Sequence, residues 1–182
     1  MLVARNCPPH ASRRTPGRTG ETVGPGPGSI SLEVNGTVHA LSVLPSETLA
    51  EVLRDRLELT GTKVACDRGA CSSCTVWVDG APICSCMMLA IEVDGHRVRT
   101  IEGLAGEALH PVQSAFIEHD AIQCGFCTPG LVMSCVALLE NHPNPTEEEV
   151  RAAIGGHLCR CGTYPHVIAA VLDVAQKGKH RP

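Results

Sequence analysis

Nine of the eleven cysteines in this 182-residue chain fall into two groups. The first is Cys66, Cys71 and Cys74, with Cys84 and Cys86 soon after. The second is Cys124 and Cys127, with Cys159 and Cys161 farther on. Eleven is odd, and the chain is expected to carry no export signal. Met1 to Ala4 are apolar, but Arg5 and Asn6 follow, and no apolar core of signal-peptide length appears before Ser29. Arg13-Arg14 precedes Thr-Pro-Gly-Arg instead of the hydrophobic stretch a twin-arginine signal needs. Disulfide scaffolds belong to short secreted chains, so clustered cysteines here point to metal.

Residues 1–28 read as a disordered tail: four Arg, one Glu and the run Gly24-Pro25-Gly26-Pro27-Gly28, without apolar periodicity. From Ser29 the pattern alternates. Ile30, Leu32 and Val34 predict a strand, Asn35-Gly36 a hairpin turn, and residues 38–43 its return strand. Ser46 is the expected N-cap of a helix carrying Leu49, Val52, Leu53 and Leu57. Thr75–Val78 and Pro82–Cys86 flank Asp79-Gly80 as a second hairpin, and Arg97–Ile101 reads as a late strand. The second half is helical in pattern: Pro111–His119, Pro129–Asn141, a helix opened by the capping box Thr146/Glu149 and lined by Val150, Ile154 and Leu158, and a last helix over about 164–176.

Hydrophobic residues are 43% of the chain and charged residues 19%, enough to fold. Only Trp77, Phe116, Phe126 and Tyr164 are aromatic, so two modest halves built from aliphatic side chains need staples. The net charge of −4, without a basic stripe, argues against a nucleic-acid partner. No apolar run reaches the length of a membrane span.

The spacing Cys66-x4-Cys71-x2-Cys74, with a cysteine downstream, is that of plant-type [2Fe–2S] ligation. A zinc ribbon would prefer two C-x2-C knuckles, and only one is present. Gly69 permits the backbone such a loop needs. Cys84 and Cys86 share a face by strand parity, so either can be the fourth ligand on this reading, the other a small buried hydrophobe. In the second group, Thr128-Pro129 follows one cysteine pair and Thr163-Tyr164-Pro165 the other, which puts both pairs before helix N-termini. A zinc site could use that geometry as well. Cys135 falls on an apolar helix face and reads as core, and Cys7 has no assigned role. No catalytic triad, phosphate loop or dinucleotide fingerprint is present, so no substrate site is expected on this chain.

Cys66-Asp-Arg-Gly-Ala-Cys71-Ser-Ser-Cys74-Thr-Val-Trp-Val-Asp-Gly, Ser85-Cys86-Met-Met-Leu-Ala and Thr100-Ile-Glu-Gly-Leu-Ala resemble the small iron–sulfur subunit of the molybdenum hydroxylases. That family includes xanthine dehydrogenase, aldehyde oxidoreductase and the molybdenum type of carbon monoxide dehydrogenase. Gln123-Cys-Gly-Phe-Cys127-Thr-Pro-Gly130 and Cys159-Arg-Cys-Gly-Thr-Tyr164 resemble its second cluster motif. The resemblance runs from about Ile30 to Ala175.

It implies an α+β chain: a β-grasp, plant-type ferredoxin-like domain over 29–106, then an all-α four-helix domain over 107–178. Cys66, Cys71, Cys74 and Cys86 would hold one [2Fe–2S] cluster, and Cys124, Cys127, Cys159 and Cys161 a second. Gln123 and Cys161 would approach the molybdopterin cofactor of a large partner subunit. The chain would relay electrons from that centre to a flavin (FAD-binding) subunit or a cytochrome, in the cytoplasm unless an exported partner carries it to the periplasm. The family loop commonly has Gly where this chain has Asp67 and Ser72, and Thr-Gly where it has Gly162-Thr163. The latter variant resembles members that work as two-subunit enzymes, some lacking a flavin subunit. The competing expectations are a free-standing redox carrier or iron–sulfur regulator and a zinc-stapled binding module.

Overall fold

The computed structural model describes residues 24–179; Cys7 and most of the expected tail lie outside them. Strand β1 (Gly28–Val34) turns through Asn35-Gly36 into β2 (Thr37–Val43), pairing Val34 with Thr37 across a tight hairpin. Both turn residues have positive φ, 51° and 84°, as the short hairpin requires. Ile30, Leu32 and Val34 are buried as the alternation predicts.

Helix α1 (Leu49–Glu51) continues through a wider π turn over Val52–Arg56. Its cap is Thr48, not the expected Ser46. The Thr48 hydroxyl accepts from the Glu51 amide, and the Glu51 carboxylate accepts from the Thr48 N–H. That reciprocal box satisfies two orphan donors and fixes where the helix starts.

Strands β3 (Thr75–Val78) and β4 (Ala81–Cys84) form the second hairpin, around Asp79-Gly80. The strand expected to reach Cys86 stops at Cys84, where Ser85–Met87 coils into a single 3-10 turn. Strand β5 (Arg97–Arg99) likewise ends before Ile101, which opens another 3-10 turn. The sheet order is β2-β1-β5-β3-β4, with β1 and β5 parallel and the other pairs antiparallel.

Every residue of β3 is buried because both faces of the strand are covered. Val76 and Val78 pack with Leu32, Leu49, Leu53 and Val98 on one side. Trp77 points the other way, into a core of Phe116, Leu131, Met133, Val136 and Val171. That core is built by α2 (Pro111–Glu118), α3 (Thr128–Asn141), α4 (Glu147–Ile154) and α5 (Tyr164–Lys179). The box Thr146/Glu149 caps α4 as predicted. Leu158, expected to line that helix, lies beyond its end and is 61% exposed. Helix α3 begins one residue earlier than expected, with Cys127 as its cap and Thr128 inside it. Cys135 is fully buried in the helical core, as its apolar face predicts.

Candidate metal centre

The loop Cys66–Cys74 lies between α1 and β3. Asp67, Gly69 and Ser72 take positive φ values of 51°, 70° and 55°. These reversals curl the chain until successive amides face inward, the concave arrangement that suits anions. The Ala70 N–H donates to Cys66 Sγ at 3.2 Å. Burial works to raise the Cys66 thiol, but the Arg68, Ala70 and Cys71 amides and the Cys71 thiol together hold it below its ordinary value. Gly69 packs against Met87, whose Cγ would meet a Cβ there at 3.0 Å.

Cys86 is brought to the same loop by the 3-10 turn. The Gly69 N–H donates to its sulfur, while burial and then the neighbouring Cys74 and Cys66 sulfurs push the thiol up. Cys74 is driven down, first by a hydrogen bond from the Cys84 thiol and, against burial, by the Cys86 amide and thiol. Cys84 and Cys86 are both buried, but they do different things. Cys86 takes a loop amide, whereas Cys84 Sγ lies 3.9 Å from Ser72 Oγ. Strand parity cannot relate them, because the strand ends between them.

In the helical half, Cys127 closes the N-terminus of α3, and Cys159 precedes α5 by a short turn with Gly162 at φ 75°. Burial, and then the Cys159 and Cys124 sulfurs, push Cys127 up to about 12. Burial also works to raise Cys159, but the Thr163 hydroxyl and amide, the Cys127 thiol and the Cys161 amide bring it to about 7. Thr163 Oγ1 sits 3.3 Å from Cys159 Sγ. Cys127 and Cys159 thus meet through their sulfurs, Cys161 reaches Cys159 through its backbone amide, and Cys124 acts on Cys127 through charge alone. Gln123 and Cys124 are exposed, beside the half-exposed Phe126.

Several contacts carry no signature in the sequence pattern. The Tyr164 hydroxyl accepts from the Cys159 N–H at 2.7 Å and donates to the His157 carbonyl at 2.9 Å, pinning the turn that carries Cys159. His157 is buried, hydrogen-bonded to Ser134 at 2.7 Å, and burial pushes its pKa down to about 4. The Trp77 Nε1–H donates to the Met133 carbonyl, and the Leu158 N–H to the Cys71 carbonyl, both at 3.1 Å. No three His, Cys, Asp or Glu side chains among the described residues converge on one point as a single metal ion requires. The sulfurs interact within each half: Cys66 with Cys71, Cys74 with Cys84 and Cys86, and Cys127 with Cys159.

Comparison with known proteins gives these sites a context. Residues 32–105 match the 2Fe-2S iron-sulfur cluster binding domain, and residues 100–172 match the [2Fe-2S] binding domain. The nicotine 6-hydroxylase small subunit of Paenarthrobacter nicotinovorans is 49% identical over 144 residues, covering 79% of this chain and 87% of that one. The chain belongs to the small iron–sulfur subunits of the molybdenum hydroxylases. The aldehyde oxidoreductase iron-sulfur-binding subunit PaoA of Escherichia coli K12 is 41% identical over 162 residues, 80% of this chain and 71% of that one. Among solved structures, quinoline 2-oxidoreductase from Pseudomonas putida 86 superposes with a TM-score of 0.80 at 42% identity, covering 84% of this chain and 96% of the matched one. Aldehyde oxidoreductase from Desulfovibrio desulfuricans gives 0.78 at 39% identity; there the match is 83% of this chain but 17% of a much longer one. This molybdenum-hydroxylase small subunit is an electron-transfer component of an oxidoreductase, with a ferredoxin-like sheet in its first half. No helix among its described residues is long and apolar enough to cross a membrane.

Proposed function

We propose that this subunit carries two [2Fe–2S] clusters and relays electrons, one at a time, from a molybdopterin centre in a large partner subunit to a flavin or cytochrome acceptor. The observation that carries the reading is that cysteine sulfurs gather beside loop and turn amides in each half, with no three of them among the described residues converging on one point. A tetrahedral zinc ion draws four ligands to one centre. A [2Fe–2S] group would be held by four cysteine thiolates that need not meet at one point, so it fits this arrangement better.

Cys66, Cys71, Cys74 and Cys86 hold one cluster in the first half (29–106). Cys124, Cys127, Cys159 and Cys161 hold the other in the four-helix half (107–178). Between Cys84 and Cys86, the Gly69 amide on Cys86 favours the latter as ligand. Each cluster, when bound, accepts and returns a single electron at a potential set by its surroundings. The chain itself ligates, keeps water away through the buried Cys71, Cys74 and Cys127, and turns amides toward the sulfurs. Gln123 and Cys161 face the partner's pterin, and the exposed Gln123-Cys124 edge beside Phe126 gives such a contact room.

The test is anaerobic purification from cells that express the neighbouring subunits. A large molybdopterin-containing chain is expected to co-purify, and the clusters are expected to be reduced when that complex's substrate is added. In Gln123→Ala the iron content stays the same and reduction slows. Full-speed reduction in that variant overturns the role of Gln123, and an iron-loaded chain that never associates with a molybdopterin subunit overturns the relay.

A further inference from the structure

His157 is buried, and four separate parts of the chain hold it and the residue after it. Its N–H donates to the carbonyl of Ile154, the last residue of α4, at 2.9 Å. Its own carbonyl accepts from the hydroxyl of Tyr164, the first residue of α5, at 2.9 Å. Its Nε2 meets Ser134 Oγ of α3 at 2.7 Å. The next N–H along, that of Leu158, donates to the Cys71 carbonyl of the first cysteine loop. Ser134 stands four residues beyond Gly130, on the same face of α3. Gly130 is the residue that lies against Ser72 and Ser73 of that loop. Three segments therefore close a triangle: the loop over 71–73, helix α3 and the turn over 157–158. Its first side is a close backbone approach and its second a backbone hydrogen bond. Its third side is His157 with Ser134.

We propose that His157, held by Ser134, is a positioning residue that fixes the spacing between the two clusters. The inference rests on the reading of both cysteine sets as ligands. Cys127 caps α3, and Cys159 lies two residues past His157, so each end of this bond leads to a cysteine of the second set. Sliding the turn along α3 would move Cys159 relative to Cys127 and to Cys71 at once. Apolar packing resists such a slide weakly, because it has no preferred direction. A hydrogen bond resists it, because the interaction weakens steeply with misalignment. Stability alone does not call for an imidazole at this place. Nδ1 is buried without a hydrogen-bond partner among the described residues, which costs free energy that an apolar side chain of similar size avoids. What the histidine adds is direction.

The experiment is electron paramagnetic resonance on the full chain, isolated anaerobically with its clusters. Each cluster's signal is followed as the other goes from oxidised to reduced. Two paramagnets held a short distance apart split or broaden each other's signals by an amount set by their separation. The unsubstituted chain is expected to show one defined interaction. In His157→Leu, iron and acid-labile sulfide stay at the unsubstituted level, both signals persist, and the defined interaction is lost. His157→Gln places an amide nitrogen where Nε2 stood and restores it. Ser134→Ala loses it as His157→Leu does. An unchanged interaction in His157→Leu, or in Ser134→Ala if His157→Leu does not fold, overturns the proposal. Two signals in the unsubstituted chain that do not sense each other overturn it as well. Loss of the second cluster from Ser134→Ala also overturns it, leaving the pair a prop of one site alone. Failure of the underlying cluster reading looks different, since the unsubstituted chain would then show fewer than two [2Fe–2S] signals.

Discussion

The Leu158 N–H donates to the Cys71 carbonyl oxygen at 3.1 Å, joining the cysteine loop of the sheet half to the cysteine-bearing turn of the helical half. Cys71 belongs to the first sulfur set, and Leu158 is followed by Cys159 of the second. One hydrogen bond and a few backbone bonds therefore connect the two sets. The contact is braced on both sides. Gly130 of α3 lies against Ser72 and Ser73, and Trp77 of β3 reaches the Met133 carbonyl. The two halves meet at their cysteine-bearing loops, the arrangement the proposed relay needs.

The brace at Gly130 can be broken by a single methyl group. A Cβ there would lie 2.5 Å from the Ser72 carbonyl oxygen, a backbone atom with no freedom to swing aside. Replacing glycine inside a helix by alanine ordinarily stabilises, by about 1 kcal/mol. Overpacking costs about 1–3 kcal/mol and opposes that gain. Gly130→Ala is expected to lower the denaturant midpoint; a raised midpoint would show that the halves do not approach as described.

Trp77 tests the other brace. Its indole N–H satisfies a buried carbonyl, and Arg99 stacks over the ring at 5.3 Å from the centroid. Trp77→Phe keeps most of the apolar volume but leaves the Met133 carbonyl without this donor. The expected loss is about 1–3 kcal/mol in equilibrium unfolding. A loss within experimental error would mean that the carbonyl finds another partner.

The Tyr164 hydroxyl bridges two backbone groups of the turn around Cys159. In Tyr164→Phe the Cys159 N–H and the His157 carbonyl both lose it. The second cluster should then be lost faster to an iron chelator, while the first is lost at its normal rate. Equal rates of loss from both sites in the variant and in the unsubstituted chain would leave this hydroxyl without the assigned role.

Cluster removal should unfold the chain, because binding to the native state alone is folding free energy. Cys74, Cys84 and Cys86 pack in a small cluster with Ala50, Cys127 lies in the helical core, and burial pushes the Cys86 and Cys127 thiols up. Chelation under anaerobic conditions is expected to abolish the cooperative thermal transition. An apo-chain that melts at the native temperature would contradict this.

Local chemistry was readable and long-range chemistry was not. Asn35-Gly36, Asp79-Gly80 and the Thr146/Glu149 box announce themselves because each is a short-range demand of the backbone. Ser46 was a sound cap by residue type, but the competing Thr48/Glu51 pair satisfies two donors, and the helix starts there. The end of β4 at Cys84 was hidden because the β-favouring pattern runs on to Cys86, while the 3-10 turn is imposed by the loop that receives it. Contacts such as Trp77 with Met133, 56 residues apart, have no local pattern to show them. The cysteine spacing was legible, and the structure adds which sulfurs pair and which amides face them.

In the proposed function, eight cysteines hold two binuclear iron–sulfur clusters. Electron paramagnetic resonance of the fully reduced chain, with spin quantitation beside iron and acid-labile sulfide analysis, tests it most directly. Two distinct [2Fe–2S] signals of equal intensity are expected, each abolished separately by Cys66→Ser or Cys127→Ser. A single signal, or a colourless chain that holds zinc and no acid-labile sulfide, would contradict it.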